Sequence, residues 1–444
     1  MPQSTASRPT VILTPLRHGL RAGGENVVQV LVRIQAPDAP EGDGDARPPQ
    51  SVALVLDRSG SMSGKPLEEA KRCADYVIGK LRPIDSLAIV SFDNRVKRHW
   101  PAVPVNSGIP QRAALADVEA GGSTNLHGGW NDGVLALSEV TGQGVKRVIL
   151  LSDGQANQGL TDPAELADLC SRWASQGVTT STYGLGDNFN EDLMVSMARA
   201  GGGNHYYGDT AEDLMEPSQQ ELELLGNLCL RETTLSTITA DGIRVEMINE
   251  LLEAGQGWRM SDLAWGSEAW ALLRLTVPAS AVPRAGTDAL VLKVVINGVT
   301  LTGDAVQLGP ISLILPSVPA ASFDLLTEDE LVVRRSMELA AADYLRQMRA
   351  AASAGHWDQV EAILARAREE LRGNPWVSAM LDSMKALAAQ KNQQRMMKEA
   401  MYSNRRLSTR LAPKNEQAFL EMGAELGEAP AFLRRKVTQG KGQA

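Results

Sequence analysis

The segment SVALVLDRSGSMSGK, residues 51–65, changes from an apolar run into a polar loop within a few positions. The run that opens it is almost wholly apolar, which is typical of an interior strand of a parallel sheet covered on both faces. The oxygen-bearing side chains that follow, Asp57, Ser59 and Ser61, stand at alternate positions and can face one side of a tight loop. We therefore expect a buried strand that brings one carboxylate and two hydroxyls to its carboxyl end.

Strands and helices alternate from this segment to about residue 226. Apolar or β-branched runs typical of strands are separated by segments with apolar residues at helical spacing. The strand-like runs are residues 51–56, 86–92, 145–152 and 178–186, and the clearest helical segments are residues 65–81 and 162–177. This alternation predicts an α/β fold with a Rossmann-like, doubly wound and mostly parallel sheet. Ligands of such sheets bind beyond the carboxyl ends of the strands.

The regions on either side of this α/β segment have different patterns. Residues 230–315 lack helical periodicity and read as strands between Gly, Pro and Asp turns, and so do two short runs before residue 36. We therefore predict that the α/β domain is inserted into a split β-sandwich, joined by a linker at residues 315–322 to a C-terminal α-helical region. The predicted domains are residues 1–50 (first strands and linker), 51–228 (α/β domain), 229–320 (β-sandwich), 321–434 (helical region) and 435–444 (disordered tail).

Two further oxygen-rich loops follow the one at Asp57. GGSTN at residues 121–125 precedes a predicted helix and supplies Thr124, whereas SDG at residues 152–154 follows a predicted strand and supplies Asp153. If the three loops converge, they form a shell of two carboxylates and three hydroxyls. Oxygen ligands alone favour Mg²⁺, with Mn²⁺ or Ca²⁺ also possible, over zinc. Because most of these ligands are neutral, the ion would remain electrophilic and favour an incoming carboxylate.

The sequences DRSGSMSG, GGSTN and LLSDG resemble, in order and spacing, the three metal loops of the von Willebrand factor A (VWA) family. In that family the loops form a metal-ion-dependent adhesion site (MIDAS). The resemblance implies that Ser59, Ser61 and Thr124 contact the ion through their hydroxyls, and that Asp57 and Asp153 contact it directly or through water. It also implies that an Asp or Glu of a partner protein completes the octahedron around the ion.

The resemblance covers about residues 51–226, and its layout with trailing helices is similar to bacterial and plant VWA proteins with a VWA-integrin-type helical region. Some plant relatives carry a RING ubiquitin-ligase domain, but this sequence lacks the Cys/His pairs for one. In VWA relatives, ligand binding can be coupled to a shift of the last helix of the domain. Here the resemblance places that helix at residues 210–225, and coupling through it is a hypothesis.

Composition and the resemblance together suggest a non-enzymatic protein-interaction module. The formal net charge of −9 at pH 7 argues against a nucleic-acid partner. We find no signal peptide and no apolar run long enough to cross a membrane, so we expect a cytoplasmic protein that does not bind membranes. The predicted function is a bacterial-type signalling, stress or assembly adaptor that captures an acidic side chain of a partner protein.

Two alternatives remain open at the level of sequence. The same metal site could serve a Mg²⁺-dependent hydrolase, with His127 as general base and Asp187 as a second acid near the site. The metal could instead be purely structural. A phosphate-binding P-loop is disfavoured, because GSMSGK is one residue short of the required spacing and Pro66 replaces the Ser or Thr that would bind Mg²⁺.

Overall fold

The structure is a computed structural model that describes residues 8–39, 47–142, 144–186, 190–409, 411–414 and 416. Within these residues the chain divides into two units. One is continuous and spans residues 47–227, and the other combines residues 8–39 with the chain from residue 228 onward. The predicted tail at residues 435–444 lies outside the described residues.

Helices and strands follow one another in three blocks along the chain. The first block has the strands β1 (Thr10–Pro15), β2 (Leu20–Arg21) and β3 (Asn26–Gln35). The continuous unit has β4 (Gln50–Asp57), α1 (Lys65–Lys80), β5 (Ser86–Phe92), β6 (Val96–Pro104), α2 (Ile109–Ala116), α3 (Leu126–Ser138), β7 (Val145–Ser152), α4 (Pro163–Ala174), β8 (Val178–Leu185), α5 (Glu191–Ala200), β9 (Gly202–Gly208) and α6 (Ala211–Asn227). The last block has β10 (Leu228–Thr239), β11 (Arg244–Met247), β12 (Leu252–Ala254), β13 (Gly257–Arg259), β14 (Leu263–Ala264), β15 (Ser267–Val277), β16 (Asp288–Val299), β17 (Ala305–Val318), α7 (Ala320–Phe323), α8 (Glu330–Ser353), α9 (Trp357–Glu370), α10 (Pro375–Ala389), α11 (Gln393–Thr409) and β18 (Ala412–Pro413).

The continuous unit contains a six-stranded sheet in the order β6-β5-β4-β7-β8-β9. All neighbouring pairs are parallel except β5 and β6, which form an antiparallel hairpin at the edge. The predicted doubly wound α/β fold is confirmed. Because β4 lies in the middle and the order reverses around it, the carboxyl ends of β4, β5 and β7 meet at one edge of the sheet.

Strand β4 is buried on both faces, which explains its uninterrupted apolar sequence. Val52, Leu54 and Leu56 belong to the core shared with α1, α2 and α6. The intervening residues Ala53 and Val55 face α3 on the other side of the sheet. Side chains of a strand alternate between faces, so a strand with helices on both sides needs apolar residues at every position.

Helix α3 lies unusually close to this sheet because two glycines face it. A Cβ atom on Gly129 would lie 2.2 Å from Cδ1 of Phe92, and one on Gly133 would lie 2.4 Å from Cγ2 of Val55. Both distances are far below van der Waals contact, so neither position has room for a side chain. The two glycines are four residues apart and therefore lie on one face of the helix.

Gly129→Ala is expected to lower the free energy of unfolding by roughly 1–3 kcal/mol, because the added methyl group overpacks the contact with Phe92. This range is the net change: the cost of overpacking should outweigh the gain of about 1 kcal/mol that alanine normally brings to a helix interior. Urea unfolding measures the change. Gly79→Ala in α1 is the control: Gly79 is exposed, and its Cβ would meet only the end of the Arg112 side chain at 3.1 Å. An unchanged stability in Gly129→Ala would contradict the close packing.

The other unit contains two sheets formed by segments from both sides of the insertion. The five-stranded sheet has the order β1-β3-β15-β11 with β18 beside β15, and the seven-stranded sheet has the order β12-β13-β10-β16-β17-β2 with β14 beside β10. Strand β3 pairs with β15 along its whole length, from Gln35 opposite Glu268 to Asn26 opposite Val277. The α/β domain is thus inserted between strands that share one sheet.

Helix α8 covers one face of the five-stranded sheet. Its residues Leu331, Val332 and Leu339 pack in one apolar cluster with Trp270 and Leu272 of β15. Helices α9, α10 and α11 follow α8 in sequence and confirm the predicted C-terminal helical region. None of the helices in the described part of the chain combines the length and the apolar character needed to span a bilayer.

Two predicted boundaries differ from the structure. The segment at residues 315–322, predicted as a linker, begins with the end of β17, which pairs with β16 as far as Pro316 and with β2 at Ser317 and Val318. The segment predicted to be helical up to residue 434 contains β18, which pairs with Ser267 and Glu268 of β15. In both cases pairing with a strand distant in the sequence determines the conformation, and neither segment has a strand-like pattern of its own.

Candidate metal centre

The first predicted loop leaves the carboxyl end of β4. Asp57, the last residue of the strand, is fully buried, and its Oδ1 accepts a hydrogen bond from the backbone N–H of Ser59 at 2.8 Å. The hydroxyl oxygens of Ser59 and Ser61 lie 3.1 Å apart. Ser59 is buried and Ser61 is exposed, so one residue of this pair lies in the interior and the other at the surface.

The third loop joins the first through a buried hydrogen bond. Strands β4 and β7 pair in parallel with Leu56 opposite Leu151, which places Ser152 and Asp153 at the same edge as Asp57. The hydroxyl of Ser152 donates to Oδ2 of Asp57 at 2.6 Å. Asp153 is buried, with 7% of its surface exposed, and its charge acts on Asp57.

The second loop lies between the other two. The backbone N–H of Gly60 donates to the carbonyl of Gly122 at 2.8 Å, which connects it to the first loop. The backbone N–H of Thr124 donates to Oδ1 of Asn157 at 2.7 Å, and the N–H of Asn157 donates back to the Thr124 carbonyl at 3.1 Å. Asn157 follows the third loop. The three loops that carry all five predicted residues therefore meet at one edge of the sheet.

The electrostatics of this edge are those of an anionic site. Burial, and to a smaller extent the charge of Asp153, raise the pKa of Asp57 from 3.8 to about 6, although hydrogen bonds from Ser152 and Ser59 oppose the rise. Among the described residues, no lysine or arginine forms an ion pair with Asp57 or Asp153. Two neighbouring carboxyl groups without a basic partner, together with hydroxyl oxygens, form a donor set that suits a hard divalent cation.

The family model of the von Willebrand factor type A domain matches residues 51–221. The continuous unit of this chain is a VWA domain. The match includes the three loops described above. It ends inside α6, and the other unit of the chain lies outside it.

Comparison with known proteins extends the similarity beyond the domain. The protein sll0103 of Synechocystis is 29% identical over 194 residues, which are 44% of this chain and 46% of that protein. The chain thus matches less than half the length of this relative.

The solved structure of a von Willebrand factor type A protein from Catenulispora acidiphila has a TM-score of 0.63 at 18% identity and covers 90% of both chains. The ArnB paralog VWA2 from Sulfolobus acidocaldarius has a TM-score of 0.58 at 19% identity, covering 89% of this chain and 98% of that one. These two structures show that the fold of nearly the whole chain, flanking unit included, recurs elsewhere.

Three residues that support the loops of the VWA domain were missed by sequence reasoning. Ser152 bonds to Asp57, Asn157 bonds to the backbone of Thr124, and Asp93 accepts hydrogen bonds at the start of the second loop. The only signal in the sequence is their position: Ser152 ends β7, Asp93 directly follows β5, and Asn157 lies in the polar segment after β7. Their partners are distant in sequence, and only the fold identifies them.

His127, the candidate general base of the hydrolase alternative, lies in the first turn of α3. Its ring centroid is 6.3 Å from that of Trp130, and burial lowers its pKa. Within the described residues, no hydrogen bond joins His127 to any of the five predicted site residues. Asp187, the second candidate acid, lies outside the described residues.

Proposed function

We propose that the VWA domain binds one divalent cation at the edge where its three loops meet. Asp57 and Asp153 would supply its negatively charged ligands, and Ser59, Ser61 and Thr124 would supply neutral ones. Mg²⁺ is the ion we favour because every donor is a hard oxygen atom, and Mn²⁺ or Ca²⁺ would suit the same donors. The observation that carries this proposal is the buried Asp57 carboxyl group beside Asp153, whose charges no basic side chain of the described residues balances.

We further propose that the cation, once bound, accepts a carboxylate oxygen from a partner protein. The domain's own residues prepare this step. Ser152 and the Ser59 backbone hold the two oxygens of Asp57 in fixed directions. The exposed Ser61 hydroxyl marks the solvent side of the loop. Three of the five ligands are neutral, so they leave part of the charge of a divalent ion for an acidic side chain of the partner.

We propose binding, and not hydrolysis, as the role of this centre. A hydrolase needs a general base within hydrogen-bond reach of the attacking water. His127 lies beside Trp130 in α3, with the two rings tilted, and makes no hydrogen bond to the three loops within the described residues. On this proposal the chain is an adaptor that joins a partner through one acidic side chain, and its flanking unit serves as scaffold.

Titration calorimetry of the full chain with MgCl₂ tests the first step. We expect one Mg²⁺ per chain, and we expect Thr124→Ala to weaken binding by about tenfold or more because it removes a ligand. Capture of partners from source lysate should need Mg²⁺, and EDTA or Thr124→Ala should abolish it. Absence of binding of Mg²⁺, Mn²⁺ and Ca²⁺ by the wild-type chain would refute the proposal.

Two outcomes would favour the alternatives. Hydrolysis of a phosphoester such as p-nitrophenyl phosphate that requires Mg²⁺ and is lost in His127→Ala would indicate an enzyme. A metal that stabilises the fold, but whose removal leaves partner capture intact, would indicate a purely structural ion.

A further inference from the structure

Asp93 is a buried carboxylate at the same sheet edge that belongs to none of the three predicted metal loops. It follows β5 and is 4% exposed. Its Oδ1 accepts hydrogen bonds from Nη2 of Arg58 at 2.8 Å and from the backbone N–H of Arg95 at 2.7 Å. Its Oδ2 accepts from the backbone N–H of Gly122 at 3.1 Å, and its carbonyl accepts from the N–H of Asn125 at 2.8 Å.

These contacts hold the second metal loop on both sides of Thr124, since Gly122 and Asn125 flank that residue. Through Arg58 they also reach the first loop. The carbonyl of Arg58 accepts from the N–H of Gly121 at 2.6 Å, and its Nη1 donates to the Glu119 carbonyl at 3.2 Å. The Asp93 side chain therefore bonds to both the loop of Ser59 and Ser61 and the loop of Thr124, and it reinforces the direct backbone hydrogen bonds between them.

Gly121 shows how tightly this junction is built. A Cβ atom on Gly121 would lie 1.9 Å from Oδ2 of Asp93 and 2.8 Å from Nη1 of Arg58. Neither oxygen of Asp93 can move away without losing a hydrogen bond to the loops. This close approach explains the first glycine of GGSTN: Asp93 lies so near to the backbone of Gly121 that a side chain has no room there.

Asp93 is poorly suited to be a metal ligand itself. Three N–H groups already donate to its two oxygens, and its charge is balanced by Arg58 at 2.8 Å. Asp57 and Asp153 differ in that no basic residue of the described chain pairs with them. The role that remains for Asp93 is to orient other residues.

We propose that Asp93 is a positioning residue of the metal centre, which sets Thr124 against the pair Ser59 and Ser61 without touching the cation. This inference rests on the proposed metal-binding function. Residues that orient metal ligands from outside the coordination sphere typically contribute about 10–100-fold to metal affinity. Asp93→Asn retains the size of the side chain but replaces one acceptor oxygen by an amide group, which cannot accept from both Gly122 and the Arg58 and Arg95 donors.

Asp85 provides a matched control at the opposite end of β5. It is fully buried, and it accepts hydrogen bonds from Nη1 of Arg47 at 2.9 Å and from the backbone N–H groups of Gln50 at 2.9 Å and Arg82 at 2.7 Å. Like Asp93, it therefore combines one arginine with two backbone donors. Asp85→Asn should lower stability in the same way as Asp93→Asn but lies at the amino-terminal edge of the sheet, away from the metal loops.

The test compares the full-length variants by calorimetry with MgCl₂ and by urea unfolding in EDTA. We expect Asp93→Asn to raise the Mg²⁺ dissociation constant about 10–100-fold, whereas Asp85→Asn leaves it within about twofold of the wild-type value. Hydrogen exchange of the metal-free chain should show faster exchange at residues 121–125 in Asp93→Asn only.

Gly121→Ala, which displaces Asp93 and keeps its charge, should weaken Mg²⁺ binding as well and provides a second route if Asp93→Asn fails to fold.

The outcomes separate this inference from the proposed function. If the wild-type chain binds Mg²⁺ and Asp93→Asn binds it equally well, the inference is wrong and the proposed function stands. Equal weakening in Asp93→Asn and Asp85→Asn would also overturn it, since the effect would then reflect general destabilisation. A wild-type chain that binds none of Mg²⁺, Mn²⁺ and Ca²⁺ would overturn both.

Discussion

Asp57→Asn is expected to abolish Mg²⁺ binding and, in EDTA at pH 8, to raise the free energy of unfolding. The two effects have one cause. Asp57 is held in the interior, where burial raises its pKa to about 6, and in the metal-free chain no basic residue of the described part balances its charge. An uncharged isostere removes that unfavourable charge but also removes a ligand for the cation.

The sign and the pH range follow from the direction of the pKa shift. A carboxyl group whose pKa is higher in the folded than in the unfolded chain stabilises the fold in its protonated form. That stability is fully present below the unfolded pKa of 3.8 and is lost as the pH rises through the folded pKa of about 6. The shift corresponds to roughly 3 kcal/mol at pH 8, from which the lost hydrogen bond of Ser152 subtracts about 1 kcal/mol.

Urea unfolding of the wild type and Asp57→Asn in EDTA at pH 4, 6 and 8 provides the measurement. We expect the variant to be more stable by roughly 1–2 kcal/mol at pH 8, and this advantage should disappear by pH 4. Asp85→Asn is the control and should destabilise at pH 8, because the charge of Asp85 is balanced by Arg47. If Asp57→Asn is destabilised equally at every pH, the ionised carboxylate of Asp57 does not destabilise the fold, and the prediction is wrong.

Sequence predicted the parts of this molecule that depend on local patterns. The alternation of apolar runs and helical segments predicted the sheet. The position of polar residues at strand ends predicted which loops would meet, because parallel strands place their carboxyl ends together. Asp57, Thr124 and Asp153 could be chosen on this ground, since Asp57 ends β4, Asp153 directly follows β7 and Thr124 lies in the polar loop before α3.

The remaining features depend on partners that lie far apart in the sequence. Asp93, in the turn between β5 and β6, supports Gly122 and Asn125 in the loop between α2 and α3, and no local pattern distinguishes it from an ordinary turn aspartate. Strand β18 forms because its backbone meets the edge of β15, although its sequence is only Ala412–Pro413. Tertiary pairing decides such features, so they could not be predicted from propensity or periodicity.

The second large effect is expected at the buried ion pair between Arg147 of β7 and Glu221 of α6. Glu221 of this helix is fully buried and forms an ion pair with Nη1 of Arg147 at 2.9 Å. It accepts hydrogen bonds from Oγ of Ser181 at 2.6 Å and from Nδ2 of Asn204 at 2.9 Å. Arg147 itself is 2% exposed. A Cβ atom on Gly203 would lie 2.4 Å from Nη1 of Arg147, so the backbone of β9 leaves space for the guanidinium group.

Arg147→Met is expected to lower the free energy of unfolding by about 3–5 kcal/mol, because it leaves Glu221 charged, buried and without its basic partner. The double variant Arg147→Met, Glu221→Gln should recover part of this loss, since it removes the second charge as well. Urea unfolding of the wild type, of Arg147→Met, of Glu221→Gln and of the double variant gives the coupling energy between the two side chains. The exposed pair of Arg172 and Asp168 in α4 is the control, and Asp168→Ala should change stability by no more than about 0.5 kcal/mol.

This ion pair also bears on the hypothesis that ligand binding shifts the last helix of the domain. A shift of α6 along its axis would separate Glu221 from Arg147, from Ser181 and from Asn204 together. It would therefore cost about as much as Arg147→Met, and binding of one carboxylate at the metal centre would have to supply that energy difference between the two positions. If the cycle gives a coupling energy below about 1 kcal/mol, the ion pair does not hold α6 in place and does not oppose a response of the helix to the ligand.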